Sequence, residues 1–353
     1  MVIGVRVRSF VSDGDSEWAT LCDCRQSAGD RCSEAGMLHA AFCSLREALQ
    51  RGAISGCSLA VMTKLHLLDG TYELFRSYFG APPRKAPNGG EIGAVHGVMA
   101  STLNLLGEGG VTHLGAAFDS EIRSFRNDLY GGYKSEVGVP AELLAQFPIV
   151  EAGIEAVGVP VWRMEEYEAD DALATAAARF VDDVEQVVIM SPDKDMAQCI
   201  VGDKIVGFDR RKKVFIDEPG VWEKFGVGPE SIPDYLGLVG DTADGFPGIR
   251  GWGAKSASLV LARYGHIEQI PLQAELWDVQ VRGAERLVET LRSHVAEALL
   301  FRFLAVLRRD VPLAETLADL EWKGVPRQRF LEFCDEYGFG SLADKPDRWI
   351  EAL

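Results

Sequence analysis

From Lys64 onward, apolar runs that end on a carboxylate alternate with segments of helical period. KLHLLD (64–69) alternates and then runs apolar to Asp69, and VTHLGAAFD (111–119) does the same to Asp119. VPVWRM (159–164) predicts a short strand, and the Ala-rich EADDALATAAARF (168–180) predicts a helix. QVVIMSPDKD (186–195) is an apolar strand that breaks into polar residues. KIVGFD and KKVFID (204–209 and 212–217) predict a β-hairpin turning at Arg210-Arg211. Beyond about residue 218 the strand pattern stops and helical periods take over, interrupted by the Gly-punctuated stretch GFPGIRGWGAKSA (245–257). No internal repeat or low-complexity tract is present. This order predicts an α/β domain with a mostly parallel sheet, followed by a helical region.

Composition narrows the class. At 353 residues and 47% hydrophobic, the chain has room for one large domain or two modest ones. Mean hydropathy is +0.01, and no apolar run approaches the roughly 18 residues of a transmembrane helix. Charged residues at 25% with ordinary hydrophobicity exclude wholesale disorder. The balance of 36 Lys+Arg against 53 Asp+Glu, a net charge of −17, excludes a basic sleeve over the whole surface. It leaves room for carboxylates gathered around metal ions.

The first 61 residues read differently from the rest. Five of the seven cysteines, Cys22, Cys24, Cys32, Cys43 and Cys57, precede Met62, and all lysines follow it. The Cys22, Cys24, Cys32 spacing lacks the paired C-x2-C of common zinc sites. Early Asp13, Asp15 and Glu17 and the want of an apolar core speak against a secretory or transit signal. Residues 1–61 are therefore expected to be a non-native or disordered extension, with translation starting at Met62. Cys199 and Cys334, the two cysteines beyond it, fit a reducing compartment such as the cytoplasm.

In open parallel sheets, ligands bind outside the carboxyl ends of the strands. Asp69, Asp119, Asp193 and Asp195 each fall just past such an end, and Glu168, Asp170 and Asp171 open the following helix. Asp241 and Asp244, three apart, would share a face if their segment were helical. Each alone reads as a turn former or helix cap. Together, nine carboxylates at one sheet edge cannot all stay ionised without cations. Oxygen-rich sites suit Mg²⁺ or Mn²⁺, and an ion pair about 3.5–4 Å apart suits phosphoryl displacement.

LLDGT (67–71) resembles the D-x-D-G-T of haloacid-dehalogenase-type phosphatases, but Leu67 stands where their nucleophilic Asp belongs. PGIRGWGAKSA reads as a helix–hairpin–helix whose glycines and amides can approach a phosphate, with Lys255 and Arg250 adding charge. The run RRKK (210–213) reads as a solvated hairpin tip first and a backbone contact second.

The collinear motifs LLDGTYELFRSYF, AAFDSEIRSFRNDLYGGYK, YEADDALA, SPDKDMAQ and GDTADGFPGIRGWGAKSA resemble the 5′-3′ exonuclease and flap endonuclease family. The match spans roughly 62–310 and includes the 5′-nuclease domain of bacterial type I DNA polymerases; the chain is expected to be a free-standing member. The resemblance implies a PIN-like nuclease domain over 62–217 and a helix–three-turn–helix DNA-binding region over 218–310. A C-terminal segment, 311–353, is expected to pack on the core. It implies that Asp69, Asp119, Glu168 and Asp170 hold one divalent ion, and that Asp193, Asp195 and Asp241 hold a second, with Asp171 and Asp244 nearby. Lys134 and Arg126 match active-site basic positions. Gly248, Arg250, Gly251, Gly253, Lys255 and Ser256 would hold DNA, with K⁺ as a further candidate ion at the hairpin. The implied activity is metal-dependent hydrolysis of phosphodiesters near a 5′ end, in a flap or an RNA–DNA primer, by a monomer that a polymerase or ligase could accompany.

Two positions and one stretch depart from the family pattern. Val137 stands where many members carry an arginine, and Gly245 where Asn is usual. No Lys or Arg lies between Lys134 and Arg163, whereas Glu136, Glu142, Glu151 and Glu155 do. An arch there would be acidic and hold phosphate weakly, leaving binding to the hairpin around Lys255. Two rival readings are a non-catalytic DNA-binding homologue and a PIN-type ribonuclease. The first fits poorly with nine unsubstituted carboxylates, and the second does not need the hairpin.

Overall fold

The computed structural model describes residues 63–351; the expected extension over 1–61 lies outside the described residues. A six-stranded sheet has the order β3-β2-β1-β4-β5-β6. The strands are β1 (Lys64–Asp69), β2 (His113–Asp119), β3 (Val161–Met164), β4 (Gln186–Met190), β5 (Ile205–Asp209) and β6 (Val214–Ile216). β1 to β5 are parallel, and β6 returns antiparallel to β5 as the hairpin pattern predicts.

Alternation along the strands sorts side chains onto two covered faces. Leu68, Phe118 and Val188 face a core shared with α1 (Gly70–Gly80), α2 (Gly93–Gly107) and α5 (Phe147–Ala156), reached after the short α3 (Arg126–Leu129) and α4 (Ala141–Leu144). Leu65, Leu67, Val187 and Ile189 face α6 (Ala169–Phe180) and the segment around Leu307 and Leu313. Helices α7 (Glu218–Phe225), α8 (Ile232–Val239), α9 (Ala254–Tyr264), α10 (Ala284–Ser293) and α11 (Val295–Ala305) form a third core of their own. Helix α12 (Arg327–Tyr337) returns to the first core through Phe330, Phe333 and Cys334. Among the described residues no helix is long and apolar enough to cross a membrane.

Because β1 pairs with β2 on one side and β4 on the other, the chain turns in opposite directions from these neighbours. Their carboxyl ends define the switch point of the sheet. The Gly of LLDGT is required there: a Cβ on Gly70 would lie 2.2 Å from the Phe118 ring. That motif is a packing device at the start of α1.

Three local expectations are corrected. Residues 241–246 form a tight turn rather than a helix, closed by Asp241 and Phe246 exchanging backbone bonds of 2.9 and 3.0 Å. Glu151 and Glu155 do not line an acidic arch. They lie on core helix α5 and bind Arg163, with Glu155 also taking Arg329. Only Glu136 and Glu142 of the four remain outside such pairs among the described contacts. The tip RRKK is not uniformly solvated, since Arg210 folds inward onto the Ser101 carbonyl and hydroxyl and onto Glu73.

Candidate active site

Strand ends and helix starts carry the acidic residues to the switch point. Asp69 ends β1 and caps α1, with Oδ1 accepting from Tyr72 N–H at 2.8 Å. Its Oδ2 accepts from the Ser191 hydroxyl beyond β4 at 2.7 Å, tying the two strand ends together. Asp119 ends β2 and accepts from Ala169 N–H at 2.7 Å in the first turn of α6. Asp170, Asp193 and Asp195 bring carboxylate oxygens within 4.8 Å of one another. Asp195 Oδ1 is a buried acceptor with no hydrogen-bond partner.

Glu168 caps α6 and is held from four sides. Oε1 takes the Ser124 hydroxyl at 2.5 Å and lies 3.2 Å from Arg126. Oε2 takes Tyr133 O–H at 3.2 Å and the Lys134 ammonium at 2.7 Å. Lys134 N–H also donates to the Asp244 carbonyl at 2.9 Å, which locks the 241–246 turn onto the GGYK loop. Gly245, at φ +84°, permits this contact, because a Cβ there would lie 2.3 Å from the Gly132 carbonyl oxygen. The departure from Asn at this position therefore has a steric reason here. Asp241 is buried and takes the Lys194 ammonium at 2.6 Å.

Crowded burial sets the protonation of the group. Burial pushes Asp69 up to about 7, with Asp119 and Asp193 adding to it. Asp244 is likewise pushed up to about 7 by burial, although Lys134 opposes the shift. Asp119, Asp170 and Asp195 are raised for the same first reason. Glu168 is the exception. Burial alone would raise it, but Lys134 and Arg126 together hold it near 2.

Raised carboxylates store stability that is complete below their unfolded value near 3.8 and lost as pH climbs through about 7. The protein in EDTA is therefore expected to melt at progressively lower temperature from pH 5.5 to 8. Mn²⁺ should restore most of the loss at pH 8 by neutralising the cluster. A melting temperature in EDTA that is flat or rises over that range would refute this.

Two sequence-based assignments need correction. Asp171 is not available as a metal ligand. It is fully buried, and its oxygens accept from both Arg126 terminal nitrogens at 2.7 Å, from Arg308 N–H at 2.8 Å and from Glu168 N–H at 3.1 Å. All of its acceptor capacity is committed. Arg126 is equally buried, and donates further to the carbonyls of Leu304 and Val306 at 2.8 and 2.9 Å. It lies behind the carboxylates and holds them; it presents no group to a substrate.

The hairpin occupies the turn between α8 and α9. Arg250, Gly251, Gly253 and Lys255 are exposed there. Gly248 instead shapes the turn, packed against the backbone of Val239 and Gly240 at φ +68°. The Ser256 hydroxyl is spent on the Gly253 backbone, accepting from its N–H and donating to its carbonyl, both at 3.0 Å. An open groove of about 520 Å³ runs past Lys255 and adds Arg282 to its lining.

Sequence reasoning passed over Ser124, Tyr133, Ser191 and Lys194. Each lies within one of the quoted motifs, no more than two positions from a residue that was singled out. Arg282 had no such signal, because its neighbour in space, Lys255, is distant in sequence.

Residues 64–226 match the family model of the 5'-3' exonuclease N-terminal resolvase-like domain, and residues 227–328 match that of the 5'-3' exonuclease C-terminal SAM fold. A 5'-3' exonuclease of Aquifex aeolicus is 36% identical over 210 residues, covering 59% of this chain and 72% of that protein. DNA polymerase I of Bacillus caldotenax is 35% identical over 288 residues, 80% of this chain but 32% of the polymerase. The chain thus spans about a third of the polymerases it matches. The fold is shared with the T5 D15 protein crystallised with metal ions (TM-score 0.55, 17% identity, 69% of this chain and 88% of that one). It is shared as well with the catalytic core of Rad2 in complex with DNA (TM-score 0.54, 14% identity, 79% and 89%). With both of its family models matched in order around the carboxylate edge, this chain belongs to the 5'-3' exonuclease family.

Proposed function

We propose that the chain is a divalent-metal-dependent 5′ nuclease that hydrolyses phosphodiester bonds near DNA 5′ ends and flaps, including primers of RNA paired to DNA. One observation supports the reading: Asp170, Asp193 and Asp195 bring carboxylate oxygens within 4.8 Å of one another at the carboxyl edge of the sheet, and Lys134 binds Glu168 beside Asp119 and Asp244. An all-oxygen donor set with one orphaned buried oxygen, Asp195 Oδ1, fits a hard cation such as Mg²⁺ or Mn²⁺. Asp69, Asp119 and Asp170 would hold one ion, and Asp193, Asp195, Asp241 and Asp244 a second, with Glu168 beside the first and its oxygens already taken by Ser124, Arg126, Tyr133 and Lys134. When bound, such ions supply Lewis acidity that activates a water and offsets charge on the scissile phosphate.

The protein groups do the rest. Burial works against the Lys134 charge, but Glu168 and Asp119 outweigh it and keep the ammonium protonated. It can present a point charge to a non-bridging phosphate oxygen. Ser124 and Tyr133 fix the Glu168 carboxylate beside it. Arg250, Lys255 and Arg282, with the exposed backbone of Gly251 and Gly253, would hold duplex phosphates away from the reacting bond, with K⁺ as a candidate ion on the same turn. A reducing cytoplasm fits the free buried thiols of Cys199 and Cys334, and the reading takes the chain as a monomer that a polymerase or ligase could accompany.

Incubation with an end-labelled 5′-flap duplex and Mg²⁺ is expected to release a short product leaving a 5′-phosphate, and EDTA should stop it. Binding without cleavage in either Mg²⁺ or Mn²⁺ would instead identify a non-catalytic homologue. Cleavage of single-stranded RNA in preference to the flap would identify a ribonuclease.

A further inference from the structure

Asp170 and Asp195 come from different elements and repel each other, so their spacing must be imposed from behind. The agent is the segment 304–308, where α11 ends and the chain runs on beneath the metal-site elements. Arg126 takes the carbonyls of Leu304 and Val306, and Asp171 takes the N–H of Arg308. Gln198 takes two more: its Nε2 donates to the carbonyl of Ala305 at 2.9 Å and to that of Asp195 itself at 2.8 Å. Its Oε1 accepts from Leu307 N–H at 3.0 Å. Asp171 adjoins Asp170 in the chain, and Gln198 follows Asp195 by one short helical turn. Successive backbone groups of the strap are thus bonded directly behind the two facing carboxylates. The strap also prolongs α11, which lies so close to α8 that a Cβ on Gly237 would stand 2.9 Å from the Ala298 carbonyl.

We infer that Gln198, with the Arg126–Asp171 pair, is a positioning residue that fixes the separation of Asp170 and Asp195 through the 304–308 strap, and so sets the affinity of the site for divalent metal. This rests on the metal-site reading above. Buried amides that satisfy several backbone groups at once are rigid and costly to break. Loss of a partner behind a metal ligand usually weakens metal binding about 10–100-fold. Thr175 provides an internal comparison. Its hydroxyl bonds Arg308 O at the end of the strap and Val311 N just beyond it, but stands a turn farther along α6 from the carboxylates.

The test is Mn²⁺ binding by titration calorimetry to the full chain, with flap cleavage and flap affinity in EDTA measured alongside. Gln198→Met is expected to raise the Mn²⁺ dissociation constant about tenfold or more, and to lower kcat with KM for the flap unchanged. Excess Mn²⁺ should recover the turnover. Thr175→Val is expected to lower the melting temperature and leave the isotherm as in the parent protein. Where Gln198→Met does not fold, Arg126→Lys is read in the same way, because it keeps the charge but loses the planar fork. A parental isotherm in the folded variant overturns the inference, and so does an equal loss in Thr175→Val, which would mark general loosening. A parent protein that binds no Mn²⁺ removes the proposed function itself.

Discussion

Asp195→Asn is expected to reduce flap cleavage by at least about a thousandfold while raising the melting temperature of the metal-free protein at pH 8. The two effects share one cause. Asp195 is buried, its carboxyl is raised by that burial and by Asp193 and Asp244, and one of its oxygens has no partner. Ionising it without a cation costs stability, and an amide of the same shape removes that cost. The same amide is a poor ligand for a hard cation, and stands to lose several kcal/mol of charge stabilisation in the transition state, at 1.36 kcal/mol per tenfold in rate. A variant that loses activity by unfolding would melt earlier, so activity and melting read in parallel separate the explanations. Retained cleavage, or a lower melting temperature in EDTA, would refute the assignment.

Arg126→Met is expected to destabilise the protein by about 3–5 kcal/mol, among the largest effects available to a single substitution here. The guanidinium is almost wholly buried, with both terminal nitrogens on Asp171 and further bonds to two backbone carbonyls. Removing it strands a buried carboxylate and two carbonyls with no water to turn to. Urea unfolding should show a lower midpoint at unchanged slope. The double variant Arg126→Met, Asp171→Leu should regain a large part of the loss, since the cost is the uncompensated charge rather than the missing attraction. An unchanged midpoint for the single variant would show that the pair is dispensable.

Much of the site was legible because its residues obey local rules. Asp69 and Asp119 close apolar runs whose period marks buried parallel strands, and Glu168 with Asp170 opens an amphipathic helix. The carboxyl edge of a parallel sheet then gathers them whatever the intervening chain does. The misreadings have a common origin. Asp171 and Asp170 are neighbours of one type, and only the direction of each side chain around the helix sends one to the open edge and the other into the Arg126 pocket. Glu151 and Glu155 looked like an acidic surface because the partners Arg163 and Arg329 approach from other elements.

The amino-acid sequence by itself determined the strand and helix order, the family, and which residue types collect at the switch point, because periodicity and collinear motifs are properties of neighbours along the chain. Tertiary structure alone decided which carboxylates stay open and which are consumed. It also decided that the DGT glycine serves packing against Phe118, and that residues 304–308 reach back to Arg126, Asp171 and Gln198. Those outcomes depend on contacts between residues from about 45 to 180 positions apart, and on the saturation of each polar atom's few bonding directions. Neither leaves a period or a spacing in the sequence.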